Sequence, residues 1–216
     1  MAAPTSEVDI CNLALDHLKE QNITSIETPN TKVEAICANW YDHTRRVVLR
    51  KHIWNFAIKR ASLARLTTTP AFGWNYEYQL PTDFIRFVTI GENYPTRTED
   101  YQLEGRKILV DDVLNSSTST ALKLKYIYDF TIVSQMDPLF INVLSVELAM
   151  NMSYRITGSS TNRRELRAIL KEIAPESYSI DGMERPPTRI ERSRNLRRRR
   201  AIGTDTASMY IRDGEI

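Results

Sequence analysis

The residues of this 216-residue chain whose types and spacing could support chemistry are paired carboxylates, three histidines, two cysteines and a cluster of arginines. Glu99-Asp100 and Asp111-Asp112 are adjacent acid pairs. Two carboxylates held roughly 5–9.5 Å apart can cleave a glycosidic bond, one protonating the leaving oxygen while the other attacks or activates water. Adjacent residues on a strand point to opposite faces, however, and both pairs fall at expected turn edges, where solvated carboxylates are the simpler reading. His17, His43 and His52 show neither a paired-histidine nor an H-E-x-x-H spacing, and no C-x-x-C occurs, so a zinc centre is not indicated. Cys11 and Cys37 lie in apolar helical patterns, which fits a reducing compartment better than a disulfide framework. The seven glycines are never closer than eleven residues, whereas a Rossmann turn or P-loop needs them within about six. No Gly-x-Ser-x-Gly elbow is present. The expectation is a protein without catalytic residues, metal or cofactor.

Charge is the stronger signal. Arg185–Arg200 holds eight arginines and one glutamate, a local net charge of +7, while the rest of the chain carries −5 within a total of +2. A mildly acidic body with a basic arm suggests an interaction segment, the bland alternative being a solvated terminus. Clustered guanidinium groups neutralise phosphates and release counterions. They also form bidentate pairs with carboxylates, which suits an acidic groove on another protein. No aromatic residue is interleaved with them to stack bases, so single-strand recognition is poorly supported. The candidate partner-binding residues are Arg189, Arg192, Arg194, Arg197, Arg198, Arg199 and Arg200.

The elements that must position these residues follow from periodicity. Length predicts one domain or two small ones, and 42% hydrophobic residues suffice for a core. The longest apolar run is Ala35–Ala38, far short of the roughly 20 residues of a membrane span, so no membrane association is expected. The acidic opening segment has no apolar stretch of the kind a secretory signal requires. Ser6–Gln21 reads as a helix with Ser6 and Asp9 capping it. Thr31 and Glu34 form a capping box for a second helix reaching about His52, with Ile53–Leu66 a possible kinked extension.

Near Pro70 the period changes from helical to two. Trp74–Gln79, Phe84–Ile90, Tyr101–Val110 folded about Glu104-Gly105-Arg106, and Leu122–Tyr128 predict four or five strands of one small antiparallel sheet. The helical period returns at Asp137-Pro138, with Gly158 closing that helix. Asn162 and Glu165 then cap a last helix that ends before Pro175. The predicted fold is α+β, a helical bundle interrupted by a small antiparallel β subdomain, with an extended Arg-rich C-terminal tail. Residues 1–68 and 136–175 form the bundle, 69–135 the β subdomain and 176–216 the extension. Trp54, Phe56, Trp74, Tyr76 and Tyr78 are expected to weld sheet to bundle, or to anchor a neighbouring subunit. Leu80-Pro81-Thr82-Asp83 reads as a turn between strands, and Glu104, Gly105 and Arg106 as a hairpin tip able to touch a neighbour or nozzle.

Taken in order, Ile10–Leu15, Arg46–Arg50, Trp54–Ala57, Lys59–Ala64, Gly73-Trp74, Tyr76, Tyr78–Asp83, Glu104–Arg106, Asp137–Phe140 and Glu147–Ala149 resemble the tail tubular protein A family. These are the head-to-tail adaptors of short-tailed bacteriophages, and the likeness spans roughly residues 8–175. It implies a non-enzymatic virion protein, assembled in the host cytoplasm and found at the head–tail interface. It implies a homo-oligomer, a dodecameric ring docked under the portal protein ring, with the tail nozzle protein below and double-stranded DNA passing through. The segment after Pro175 matches no motif of the family. Related adaptors extend their C-terminus toward the portal, so portal docking is the role implied for the arginines. Two rivals remain: a DNA-binding virion protein that grips the genome through its arginines, and a peptidoglycan hydrolase using a carboxylate pair.

Overall fold

Helices form where caps and apolar stripes coincide. A computed structural model describes residues 4–91, 101–111 and 121–185. Helix α1 (Glu7–Asp16) opens on Ser6, whose Oγ accepts the Asp9 N–H at 3.2 Å while Asp9 accepts the Ser6 N–H at 2.9 Å. Its buried stripe is Ile10, Cys11, Ala14 and Leu15. The helix stops five residues before the predicted Gln21, because Lys19 takes the left-handed conformation (φ 59°) and the Glu20 N–H turns back to the Leu15 carbonyl at 3.1 Å. Helix α2 (Lys32–Lys51) has the expected Thr31/Glu34 capping box.

The predicted extension beyond His52 does not form. His52 is extended, and side chains from downstream take the last carbonyls of α2. Trp54 Nε1 donates to the Val48 carbonyl at 3.1 Å, and Arg86 Nη1 donates to those of Arg50 and Lys51 at 3.0 and 2.9 Å. A helix end needs such partners for its orphan carbonyls, and here it finds them in a folded-back chain.

Helix α3 (Pro138–Thr157) starts as predicted, Asp137 Oδ1 accepting the Leu139 and Phe140 N–H groups at 2.7 and 3.3 Å, and ends on Gly158 at φ 66°. It is buried on nearly every side between Phe140 and Met150 because α1, α2 and α4 all pack on it. Helix α4 (Ser160–Met183) is capped by Ser159 rather than Asn162 and runs through Pro175 rather than ending there. Proline inside a helix costs about 3 kcal/mol. That cost is outweighed because Tyr178 and Asp181, both beyond the proline, pack against His52 at the end of α2. The extension predicted from residue 176 therefore begins with eight residues of helix, of which Ser177 and Asp181 are buried.

The β region holds six strands among the described residues, in two three-stranded antiparallel sheets rather than one. They are β1 (Ile58–Ala64), β2 (Tyr76–Gln79), β3 (Phe84–Ile90), β4 (Tyr101–Glu104), β5 (Lys107–Val110) and β6 (Ala121–Tyr128). The first sheet has the order β1-β6-β3 and the second β2-β5-β4. An Arg65–Tyr78 bridge and a Leu66 N–H to Glu77 carbonyl bond (3.0 Å) carry β1 over into β2. Among the described residues the strands thus follow one another as β3-β6-β1-β2-β5-β4, a partly closed barrel whose outer strands are β3 and β4. Strand β1 lies within the stretch assigned to the bundle, up to residue 68, but belongs to this sheet through its Ile58–Ala64 pairing with β6.

Two cores result. The larger lies among the helices and includes Trp54, Phe140, Leu144 and Leu148; the smaller lies between the sheets and includes Tyr78, Ile108, Val110, Leu124 and Tyr126. Strand β3 serves both. Register shifts between Phe84 and Arg86 and between Phe87 and Thr89 insert extra residues against β6. They change its side-chain period from two to three, so Phe84, Phe87 and Ile90 face the inter-sheet core while Ile85 and Val88 face the helices.

Candidate interaction surface

The hairpin of β4 and β5 turns at Gly105, whose φ of 56° is easy only for glycine. Glu104, Gly105 and Arg106 are all exposed at this tip. Side chains and backbone fix it to the β2–β3 turn predicted at Leu80–Asp83. Arg106 Nη2 donates to the Pro81 and Thr82 carbonyls at 2.6 and 3.1 Å. The Arg106 carbonyl accepts the Leu80 N–H and Gln79 Nε2, both at 2.9 Å. Gln102 Nε2 donates to Glu104 at 2.7 Å, and Trp74 Nε1 donates to Gln102 at 3.0 Å. The tip is thus braced on the β2–β3 turn. The candidate arginines Arg189, Arg192, Arg194 and Arg197–Arg200 lie outside the described residues, as do Glu99, Asp100 and Asp112. Asp111 accepts the Asn75 N–H at 3.0 Å, in keeping with its reading as a turn carboxylate.

Four of the five aromatic residues expected at the sheet–bundle junction divide between the two cores, and Trp74, bonded to Gln102, belongs to neither. Trp54 and Phe56 pack edge-on against Phe140, with ring centroids 5.1 and 5.0 Å away, in the helical core. Tyr78 is buried between the sheets, with Tyr76 packed at the margin of that core. The sequence places these rings close along the chain, but the change from α2 to β1 sends the two sets to opposite faces of the first sheet.

Sequence reasoning missed the buried charges, which the structure engages one by one. Arg45, 1% exposed, donates to Asp42 at 2.9 Å, Asp129 at 2.5 Å and the Phe130 carbonyl at 2.6 Å, joining α2 to the end of β6. Glu147 on α3 meets Lys51 on α2. Glu77 accepts from Thr68 and from Lys107 at 2.9 Å, and these two hydrogen bonds hold its carboxyl below the ordinary range. Burial alone would raise the Asp83 carboxyl, but Lys59 Nζ at 2.6 Å and the Tyr126 hydroxyl at 2.9 Å bring it below its usual value. Cys11 and Cys37 are free and buried side by side between α1 and α2, and hydrogen bonding to Cys37 together with burial pushes the Cys11 thiol up.

The group that looks most like an acid–base pair is His52 with Asp181, Nε2 to Oδ2 at 2.9 Å. Asp181 also accepts the Asn55 N–H at 3.0 Å, and Arg185 donates to the Ile53 carbonyl and to Asn55 Oδ1. The His52 ring is stacked on Tyr178 at 4.6 Å and set edge-on to Trp54 at 5.0 Å, so the pair pins α4 to the end of α2. Burial lowers the His52 pKa against the opposing pull of Asp181. Its only sequence signal is a lone histidine one residue past a helix end.

No family model matches this chain, and no curated protein matches it. Among the described residues, no helix is long and apolar enough to cross a membrane.

Proposed function

We propose that this chain is a ring-forming head-to-tail adaptor of the tail tubular protein A type. In this reading it is a structural virion part that links the portal ring to the tail nozzle and surrounds the DNA ejection channel. The observation that carries it is the ordered set of motifs from Ile10 to Ala149. Those motifs fall on positions that hold the fold: the buried face of α1, the last turns of α2, the Trp54 junction, the β2–β3 turn and the cap of α3. They support a shared framework, and the function is carried over by resemblance. In this arrangement the bundle builds the ring, the braced Glu104–Arg106 tip meets neighbour or nozzle, and the arginine segment docks on the portal.

Negative-stain images of the protein with and without portal rings test the reading. A ring that stacks on the portal is expected, and isolated particles coating DNA would overturn it. Deleting residues 186–216 should leave the fold intact and abolish co-sedimentation with portal rings. The deletion starts after Arg185 because that side chain is bonded to Ile53 and Asn55.

One observation favours the DNA-binding rival. On the first sheet Arg60 lies directly opposite Lys125. Like charges opposite one another are unfavourable across strands, and an anionic partner relieves them. That reading expects duplex binding that weakens steeply with salt without any portal present; loss on replacing Arg197–Arg200 with alanine assigns it to the arginine segment, and loss in R60Q/K125Q assigns it to the sheet.

A further inference from the structure

Among the described residues no strand pairs β3 with β4, and between them lies a groove of about 610 Å³. Its walls are the outer strands of the two sheets. The stacked rings of Phe87 and Tyr101, 4.1 Å apart, close one end. Arg106, bonded to Pro81 and Thr82, closes the other. Between them lie Phe84, Ile85 and Leu103, which is 41% exposed.

Three guanidinium groups ring this opening, and among the described residues lining it there is no carboxylate. Each guanidinium is held by backbone carbonyls: Arg50 by that of Ile85 at 2.5 Å, Arg86 by those ending α2, and Arg106 by those of the β2–β3 turn. Carbonyl dipoles orient the groups without neutralising them, and five donors on each leave several to spare. The rings do not form a platform for bases, since Phe87 is stacked on Tyr101 and Phe84 on Tyr126.

We propose that this seam binds an extended, acidic polypeptide segment of a protein partner, added as a strand between β3 and β4. Outer strands supply main-chain hydrogen bonds to such a segment, here chiefly from β4, because the Ile85 carbonyl of β3 is taken by Arg50. The positive rim selects carboxylates on it, through the paired geometry that guanidinium favours. The span from Tyr101 to Gly105 accommodates about four extended residues at roughly 3.4 Å each. The proposal does not depend on ring formation and stands or falls separately from the adaptor reading.

The test is selection of a random peptide library, about ten residues per peptide, on the full-length protein, followed by fluorescence anisotropy with a selected peptide and its Gln/Asn counterpart. Selected peptides are expected to be enriched in Asp and Glu at alternating positions, and their neutral counterparts to bind about tenfold more weakly or worse. R50Q/R106Q should lose binding by a similar factor. L103E, a change at an exposed position, should do the same while circular dichroism shows an unchanged fold. The proposal is overturned if nothing is selected, if the selected peptides are not acidic, or if both variants bind as the parent does. It is equally overturned if oligothymidine competes for the groove and binds more tightly than the peptides.

Discussion

At the scale of single residues, His52 is the most informative titrating group. Burial disfavours its charged form, nearby Arg185 and Arg86 act in the same sense, and the hydrogen bond to Asp181 opposes them, leaving the folded pKa below 6.5. The unfolded chain therefore binds the proton more readily, and stability present above 6.5 is lost as pH falls through the lower folded value. Asp83 and Glu77, whose folded values are also lowered, extend the loss into the carboxylate range. Urea midpoints of the parent should fall between about pH 7.5 and about pH 5.5, and those of H52N should fall less. Glu7, whose carboxyl burial raises, acts in the opposite sense and cancels in that comparison. A His52 ring that titrates above 6.5 by NMR would contradict the assignment.

At the scale of elements, β3 is the unusual case. An ordinary strand with one buried face tolerates charge on the other, but the two bulges give β3 a core on each side. Ile90→Asp and Val88→Asp, two residues apart, should each destabilise the protein by about 2 kcal/mol or more, since one puts a carboxylate into the inter-sheet core and the other puts it against the helices. Equilibrium denaturation measures this, and a neutral Val88→Asp would return β3 to a one-sided strand. Helix ends were legible where their caps are local: Ser6 with Asp9, Thr31 with Glu34, and Asp137 with Pro138 are sequence neighbours and act as predicted. The end of α2 was legible only as an approximate position. Its carbonyl partners are Trp54 and Arg86, and the latter is 35 and 36 residues away along the chain.

At the scale of the molecule, two cores share the first sheet but differ in their support. Helix α3 is enclosed by three helices, whereas β2, β4 and β5 are four-residue strands joined to the rest through the inter-sheet core and the Arg65–Tyr78 bridge. Stability should be correspondingly uneven. Native-state hydrogen exchange should find the amides of β2, β4 and β5 opening about tenfold or more faster than those of central α3. Equal protection would mean that both cores unfold as one unit. The candidate surface follows the same division: the Glu104-Gly105-Arg106 turn was readable from glycine and strand periodicity, while the seam beside it was not. That seam joins Arg50 of α2, Arg86 of β3 and Arg106 of the hairpin, residues scattered over more than fifty positions.

By itself the sequence determined the helix pair, the strands after Pro70, the second helix pair and the α+β class, because periodicity and capping act over a few residues. Only the tertiary structure decided that β1 follows α2 directly, that the strands divide into two sheets, and that α4 continues through Pro175. Each of those outcomes is set by a partner far along the chain: β6 for β1, β5 for β2 and β4, and His52 with Asn55 for the end of α4. Local propensity is worth a few tenths of a kcal/mol to about 3 kcal/mol per residue, and packing against a completed core exceeds it.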